Sequence, residues 1–304
     1  MITLTYRAAV PAIMALAILT QASQAQESFS SPQQAAAALA DAVKSGTNRA
    51  IFKVLGYDAE DIVSSGDEVA DAEMRQRFTS AYDAKHSIKA EGNKKATLIV
   101  GDDDFPFPIP LYNTKSGWEF DTKVGRLEIL YRRIGRNELD TIQTCLAFVD
   151  AQNEYAEKDR GQGAGVYAQR IVSSPGKKDG LFWQDDLDAS PLGELAAEAS
   201  SEGYKLEGKG APYHGYHYRI LKAQGSGAPG GALNYVVNGK MIGGFALIAY
   251  PAEYGNSGVM TFMVNHTGTV YEKDLGRWTY DYAKRMTAFD PDQTWKKVDV
   301  TSRQ

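Results

Sequence analysis

Four histidines, one cysteine and a few clustered carboxylates are the side chains with which this chain of 304 residues could do metal, nucleophilic or acid–base chemistry. His214 and His217 stand three apart, a spacing that suits a metal ion when a helix carries it. Here they flank Gly215 in a Tyr-rich run that reads as a strand, where odd and even positions face opposite ways. No other His or Cys stands close by, and zinc wants three or four converging ligands. No metal and no cofactor is expected. Ser257, in Gly255-Asn256-Ser257-Gly258, invites a nucleophile reading, but the second glycine comes one residue too early for the strand-to-helix elbow of hydrolases. A β-turn leading into a strand accounts for it, although a Ser–His–acid triad assembled only in the fold stays open.

The remaining candidates read as structure. Asp102-Asp103-Asp104 is a solvated turn. The stretch from Asp159 to Gly165 offers one carboxylate where a calcium loop needs several at alternate positions. The glycines of 225–231 lack the lysine and the strand–loop–helix setting of a phosphate loop. Cys145 shares an apolar helical face with Ile142, Leu146 and Val149, with no base nearby in sequence, and belongs in a core. What is left is aromatic. Tyr213, His214, Tyr216, His217, Tyr254 and Asn256 make the candidate binding surface, because tyrosine offers a broad face with a hydroxyl while His and Asn add directional hydrogen bonds.

These residues need elements to hold them. Ser31-Pro32-Gln33-Gln34 is a capping box with proline in the first turn, and Ala36, Leu39 and Val43 follow at helical spacing. A second helix spans Asn48 to Leu55. A third runs from about Glu68 to His86, with Met74, Phe78 and Tyr82 on its inner face. Ala96 to Val100 is a strand. Phe105 to Leu111 alternates apolar residues with three prolines and is expected to be an edge strand whose proline side is unpaired, with Trp118 to Asp121 as its partner. The pattern is helical from Gly125 to Lys158, with a break at Gly135. A short helix at Ser190 to Ser200 precedes candidate strands at Gly203–Glu207, Tyr216–Lys222, Gly244–Tyr250, Val259–Val264 and Thr269–Lys273, and a last helix covers Arg277 to Phe289. The fold class is α+β, in two domains of helices on small antiparallel sheets, residues 26–124 and 125–304.

The first 25 residues read as a secretory signal. Arg7 is the positive end, Ala8 to Thr20 is an apolar run too short to span a bilayer, and Ser23-Gln24-Ala25 places small residues before a cleavage after Ala25. A periplasmic protein is expected, with no membrane span in its mature form and no lipidation cysteine. A single cysteine rules out an intramolecular disulfide. The net charge of −5, with basic residues scattered, lacks the footprint of a nucleic-acid binder.

Several segments together are recognisable: Phe-Pro-Phe-Pro-Ile-Pro-Leu (105–111), Arg-Arg-Ile-Gly-Arg-Asn-Glu (132–138), Pro-Tyr-His-Gly-Tyr-His-Tyr-Arg-Ile-Leu (212–221) and Asn-Gly-Lys-Met-Ile-Gly-Gly-Phe-Ala-Leu (238–247). The chain closely resembles the exported bacterial family catalogued as domain of unknown function 2950. That resemblance implies secretion and carries no activity. The C-terminal half also looks like the globular head of type IV pilin-like proteins, through a helix with Ala147, Ala151 and Tyr155 followed by a sheet; a pilin's helix begins as its membrane anchor, whereas a whole domain precedes this one.

The function expected from these observations is non-enzymatic binding of an envelope protein or glycan through the C-terminal domain. The alternatives are a hydrolase acting on an envelope polymer, with carboxylates or Ser257 brought together by the fold, and a pilin-like structural subunit.

Overall fold

A computed structural model describes residues 26–185, 188–205 and 211–299. The expected signal sequence and its cleavage site after Ala25 lie outside the described residues. The chain is α+β. Helices α1 (Pro32–Lys44), α2 (Asn48–Leu55), α3 (Glu60–Val63) and α4 (Glu68–Ala84) precede a sheet of β1 (His86–Glu91), β2 (Lys95–Val100), β3 (Phe105–Pro106), β4 (Leu111–Asn113) and β5 (Trp118–Phe120). The Ser31 hydroxyl accepts from the Gln34 N–H and so caps α1, with proline in the first turn. Ala35, Leu39, Ile51, Val54, Ile109 and Leu111 fill the first core.

The proline segment departs from expectation. Only Phe105–Pro106 pairs as β3, against Ile99 and Val100 of β2. The chain then leaves the sheet at Pro108–Pro110 and returns as β4, which lies between β2 and β5 and pairs with both. The expected partner, Trp118–Phe120, does pair with β4, but Phe105 to Leu111 is not one edge strand. The reason is contact with the next helix: an added Cβ on Gly125 would lie 2.6 Å from the Pro108 carbonyl and 2.7 Å from the Ile109 Cα. The backbone of 108–109 bends inward to meet a helix that carries no side chain there.

That helix, α5 (Thr122–Glu157), has 36 residues and runs unbroken through Gly135, correcting the expected interruption. A lone glycine weakens a helix by about 1 kcal/mol relative to alanine without ending it. The expected boundary at 124–125 falls inside α5, and the helix serves two cores. Leu130 belongs to the first, while Ile142, Cys145, Phe148 and Val149 enter the second. Cys145 is fully buried, and desolvation pushes its thiol pKa up to about 12. Thiol labelling of the folded protein should therefore be negligible, becoming rapid only in denaturant.

Beyond α5 come α6 (Gly193–Glu202) and β6 (Tyr216–Leu221). Two short pairs follow, β7 (Ala223–Gln224) with β8 (Leu233–Asn234) and β9 (Val236–Val237) with β10 (Lys240–Met241). Then come β11 (Ala246–Pro251), β12 (Met260–Asn265), β13 (Val270–Asp274), α7 (Thr279–Arg285) and β14 (Lys296–Lys297). The main sheet is antiparallel in the order β14-β13-β12-β11-β6. Residues 203–205 of the expected strand at Gly203–Glu207 are not strand, and the rest of it lies outside the described residues. The expected last helix begins as a 3-10 turn at Gly276–Trp278, continues as α7 and ends early, because the chain turns at Met286 to an extended conformation. All six residues of β11 are buried, being covered on both faces.

Candidate functional site

The two cores meet through buried polar groups. Arg133, on α5, is buried and donates to the Asp61 carbonyl at 2.7 Å, the Ile62 carbonyl at 2.5 Å and Asn256 Oδ1 at 2.5 Å. Burial lowers its pKa, and the charges of Asp71 and Asp61 oppose that shift. Asn137, one turn on, donates to the Ser257 carbonyl at 2.9 Å. Asp67 has one oxygen on the N–H groups of Val69 and Ala70, capping α4, and the other on the Tyr204 hydroxyl at 2.9 Å and the Gly215 N–H at 2.8 Å. Asn256 reaches back to the Ser64 carbonyl at 2.9 Å. These bonds tie α3, the start of α4 and the middle of α5 to the turn at Asn256–Ser257 and to Gly215.

Away from this junction α4 and α5 separate, leaving a cleft of about 1170 Å³. Phe107 and Pro108 line its floor, Met74 and Phe78 its α4 wall, and Ile129, Leu146 and Ala147 its α5 wall, with Leu39, Ile51 and Ile109 almost fully buried in the core next to it. Only Asp71 and Tyr82 of the 17 residues in α4 are buried; Met74 and Phe78 are half-buried, and Phe78 packs on Tyr82 and Phe107 at the edge of the cleft. The cleft runs along α5 from Ile129 to Asp150, a length of about 30 Å at 1.5 Å per residue. The charges along that wall are segregated, Arg132, Arg133 and Arg136 at one end and Asp140 and Asp150 towards the other.

At one end His214 lies between two carboxylates. Its Nδ1 is 3.7 Å from Asp140 and its Nε2 is 3.5 Å from Glu202. His214 holds a positive φ of 48°, a conformation uncommon outside glycine. Burial raises the pKa of both carboxyl groups above the ordinary values of 3.8 and 4.5, while His214 pulls both down. Arg136 and Arg77 also lower that of Asp140, and Glu198 raises both. Since these groups hold protons more tightly folded than unfolded, their contribution favours the folded state in acid and is lost as pH rises through their raised pKa values. The double variant Asp140→Asn, Glu202→Gln should flatten the fall in melting temperature from pH 4 to pH 7, as measured by thermal denaturation across that range.

The six residues of the expected surface do not form one surface. Tyr213 and His214 line the cleft. Tyr216 is fully buried, its hydroxyl on the Met260 carbonyl at 2.9 Å. His217 packs beside Tyr250 and Tyr280. Tyr254 is exposed and donates to Asp274, and Asn256 is buried in the junction. A tight turn, in which Tyr213 and Tyr216 exchange backbone hydrogen bonds, separates the first pair from the strand, and strand alternation then divides Tyr216 from His217. Ser257 is also buried, with its hydroxyl engaged by the Glu253 backbone. Asp159 spends its carboxylate on the N–H groups of Gly161 and Gly163. No group of three or more potential metal ligands occurs among the described residues.

The architecture is thus an α+β protein in which one long helix joins two cores and walls a cleft between them. The chain belongs to the family described as "Protein of unknown function (DUF2950)", which matches residues 26–298. Neither a curated protein nor a solved structure matches it, and the expected likeness of the C-terminal half to pilin heads is not shown.

Proposed function

We propose that this chain is an exported, non-enzymatic binding protein of the cell envelope, and that the α4–α5 cleft receives an apolar segment of a partner protein. The observation that carries this reading is the cleft's combination of length, apolar lining and a wall that is basic at one end and acidic at the other. A gap of this size lined by apolar side chains forfeits packing contacts that an occupant would restore. About 30 Å suits a linear ligand. An acyl chain bears charge at one end only, and a glycan has little to place against Phe107, Phe78 and Leu146. A polypeptide offers apolar side chains and charges of both signs together, in the manner of a segment laid in a groove. Export is supported by the signal-like residues 1–25 and by the family match, which begins at the residue after the expected cleavage site.

The test is capture of partner from envelope extract by the wild type and by Met74→Glu and Ala147→Glu, one on each wall. Both residues are only half-buried, so melting temperatures should stay close to wild type while capture falls at least tenfold. Undiminished capture by both variants would reject the cleft as the seat.

A second reading, hydrolysis of an envelope polymer, draws on Asp140, His214 and Glu202, whose raised carboxyl pKa values face the cleft. It requires turnover that Glu202→Gln abolishes without loss of binding.

A further inference from the structure

Helix α7 places large aromatic residues in solvent. Trp278, Tyr280 and Tyr282 are 56%, 47% and 50% exposed, three within five residues. Exposed apolar surface of this density marks contact with something other than water. The helix is held firmly from behind. Thr279 and Ala283 are fully buried, and Arg219 of β6 donates to the carbonyls of Ala283 at 2.7 Å and Met286 at 2.6 Å. Tyr280 packs on Tyr250 with ring centroids 5.9 Å apart. Trp278, Tyr282 and Arg285, spaced i, i+4 and i+7, share the outward stripe.

Charge gives the patch its sign. The protein as a whole carries −5, yet Arg277, Lys284 and Arg285 are exposed here and Asp281 is the one acid between them. The flanking carboxylates of Asp274 and Asp290 accept from the N–H groups of Gly276 and Gly227, each at 2.7 Å, and keep their charge outside the helix that carries the cations. Cations lie against the rings, Arg277 5.1 Å from the Trp278 centroid and Lys284 5.4 Å from that of Tyr280. We propose that this face of α7 seats the protein on an anionic lipid bilayer. Trp and Tyr, with an apolar body and a polar tip, favour the boundary between headgroups and acyl chains, and adjacent Lys and Arg reach lipid phosphates. The contact is peripheral, since no described helix is long and apolar enough to cross a membrane. It is independent of the cleft and of what the cleft binds.

Flotation of the purified protein with vesicles tests this. Vesicles of phosphatidylethanolamine with phosphatidylglycerol should carry the wild type upward, and pure phosphatidylcholine vesicles should not. Lys284→Ala with Arg285→Ala should weaken binding on the order of 30-fold, about fivefold per cation. Trp278→Ala with Tyr282→Ala should weaken it several-fold at an unchanged melting temperature. Failure of the wild type to float with the anionic vesicles would overturn the proposal. So would flotation that neither folded double variant reduces, and in that case the patch is left to an acidic protein partner.

Discussion

Arg133→Met should destabilise the protein by about 3 kcal/mol or more, a loss readable as a drop in the urea midpoint, because three buried acceptors lose their donor at once. Methionine fills much of the volume but offers nothing to the Asp61 and Ile62 carbonyls or to Asn256 Oδ1. The neighbouring Arg132 provides the control. It is exposed and pairs with Glu128 one turn away, an arrangement worth about 0.3–0.5 kcal/mol. Arg132→Met should therefore leave the midpoint nearly unchanged. Similar losses at the two positions would mean that Arg133 is not the bolt between the cores.

Two glycines in α5 should respond to alanine with opposite signs. At Gly135 an added Cβ meets nothing within 4 Å, so Gly135→Ala should stabilise by about 0.5–1 kcal/mol, through helix propensity and reduced freedom of the unfolded chain. At Gly125 the same Cβ would strike the backbone of Pro108 and Ile109, at 2.6 and 2.7 Å. Backbone cannot swing aside as a side chain can, and the segment it would push carries the fully buried Ile109. Gly125→Ala should cost about 2–3 kcal/mol, in the range of overpacked cores. Chemical denaturation of both variants under one condition checks the sign as well as the size.

Local signals foretold local structure. The capped start of α1 and the antiparallel strands β12 and β13, expected at Val259–Val264 and Thr269–Lys273, follow from residues within a few positions of each other. The alternation in Phe105–Leu111 misled because the contact that bends the chain there, with Gly125, is made by backbone and leaves no mark in an apolar pattern. The cleft was hidden for a related reason. Met74, Phe78 and Tyr82 have the spacing of an inner helical face, and spacing alone cannot distinguish a face that packs from one that borders an opening. The junction was out of reach altogether. Arg133 finds Asn256 across 123 positions, and Asp67 finds Gly215 across 148. Asn256 looked like a surface donor because a Gly-Asn-Ser-Gly turn is normally solvated, and here the turn is buried against α3 and α5.

The claim that matters most is that the cleft holds a polypeptide, and site-specific photocrosslinking addresses it directly. A benzophenone side chain placed at Met74 or at Ala147 faces the cleft from opposite walls. One at Tyr131, 66% exposed and absent from the cleft lining, reports on the outer surface of α5. After illumination in envelope extract, the two cleft positions should join the same peptide of one partner protein, and the Tyr131 position should not. Adducts to lipid or glycan alone at Met74 and Ala147, or the same protein adducts at all three positions, would contradict the assignment.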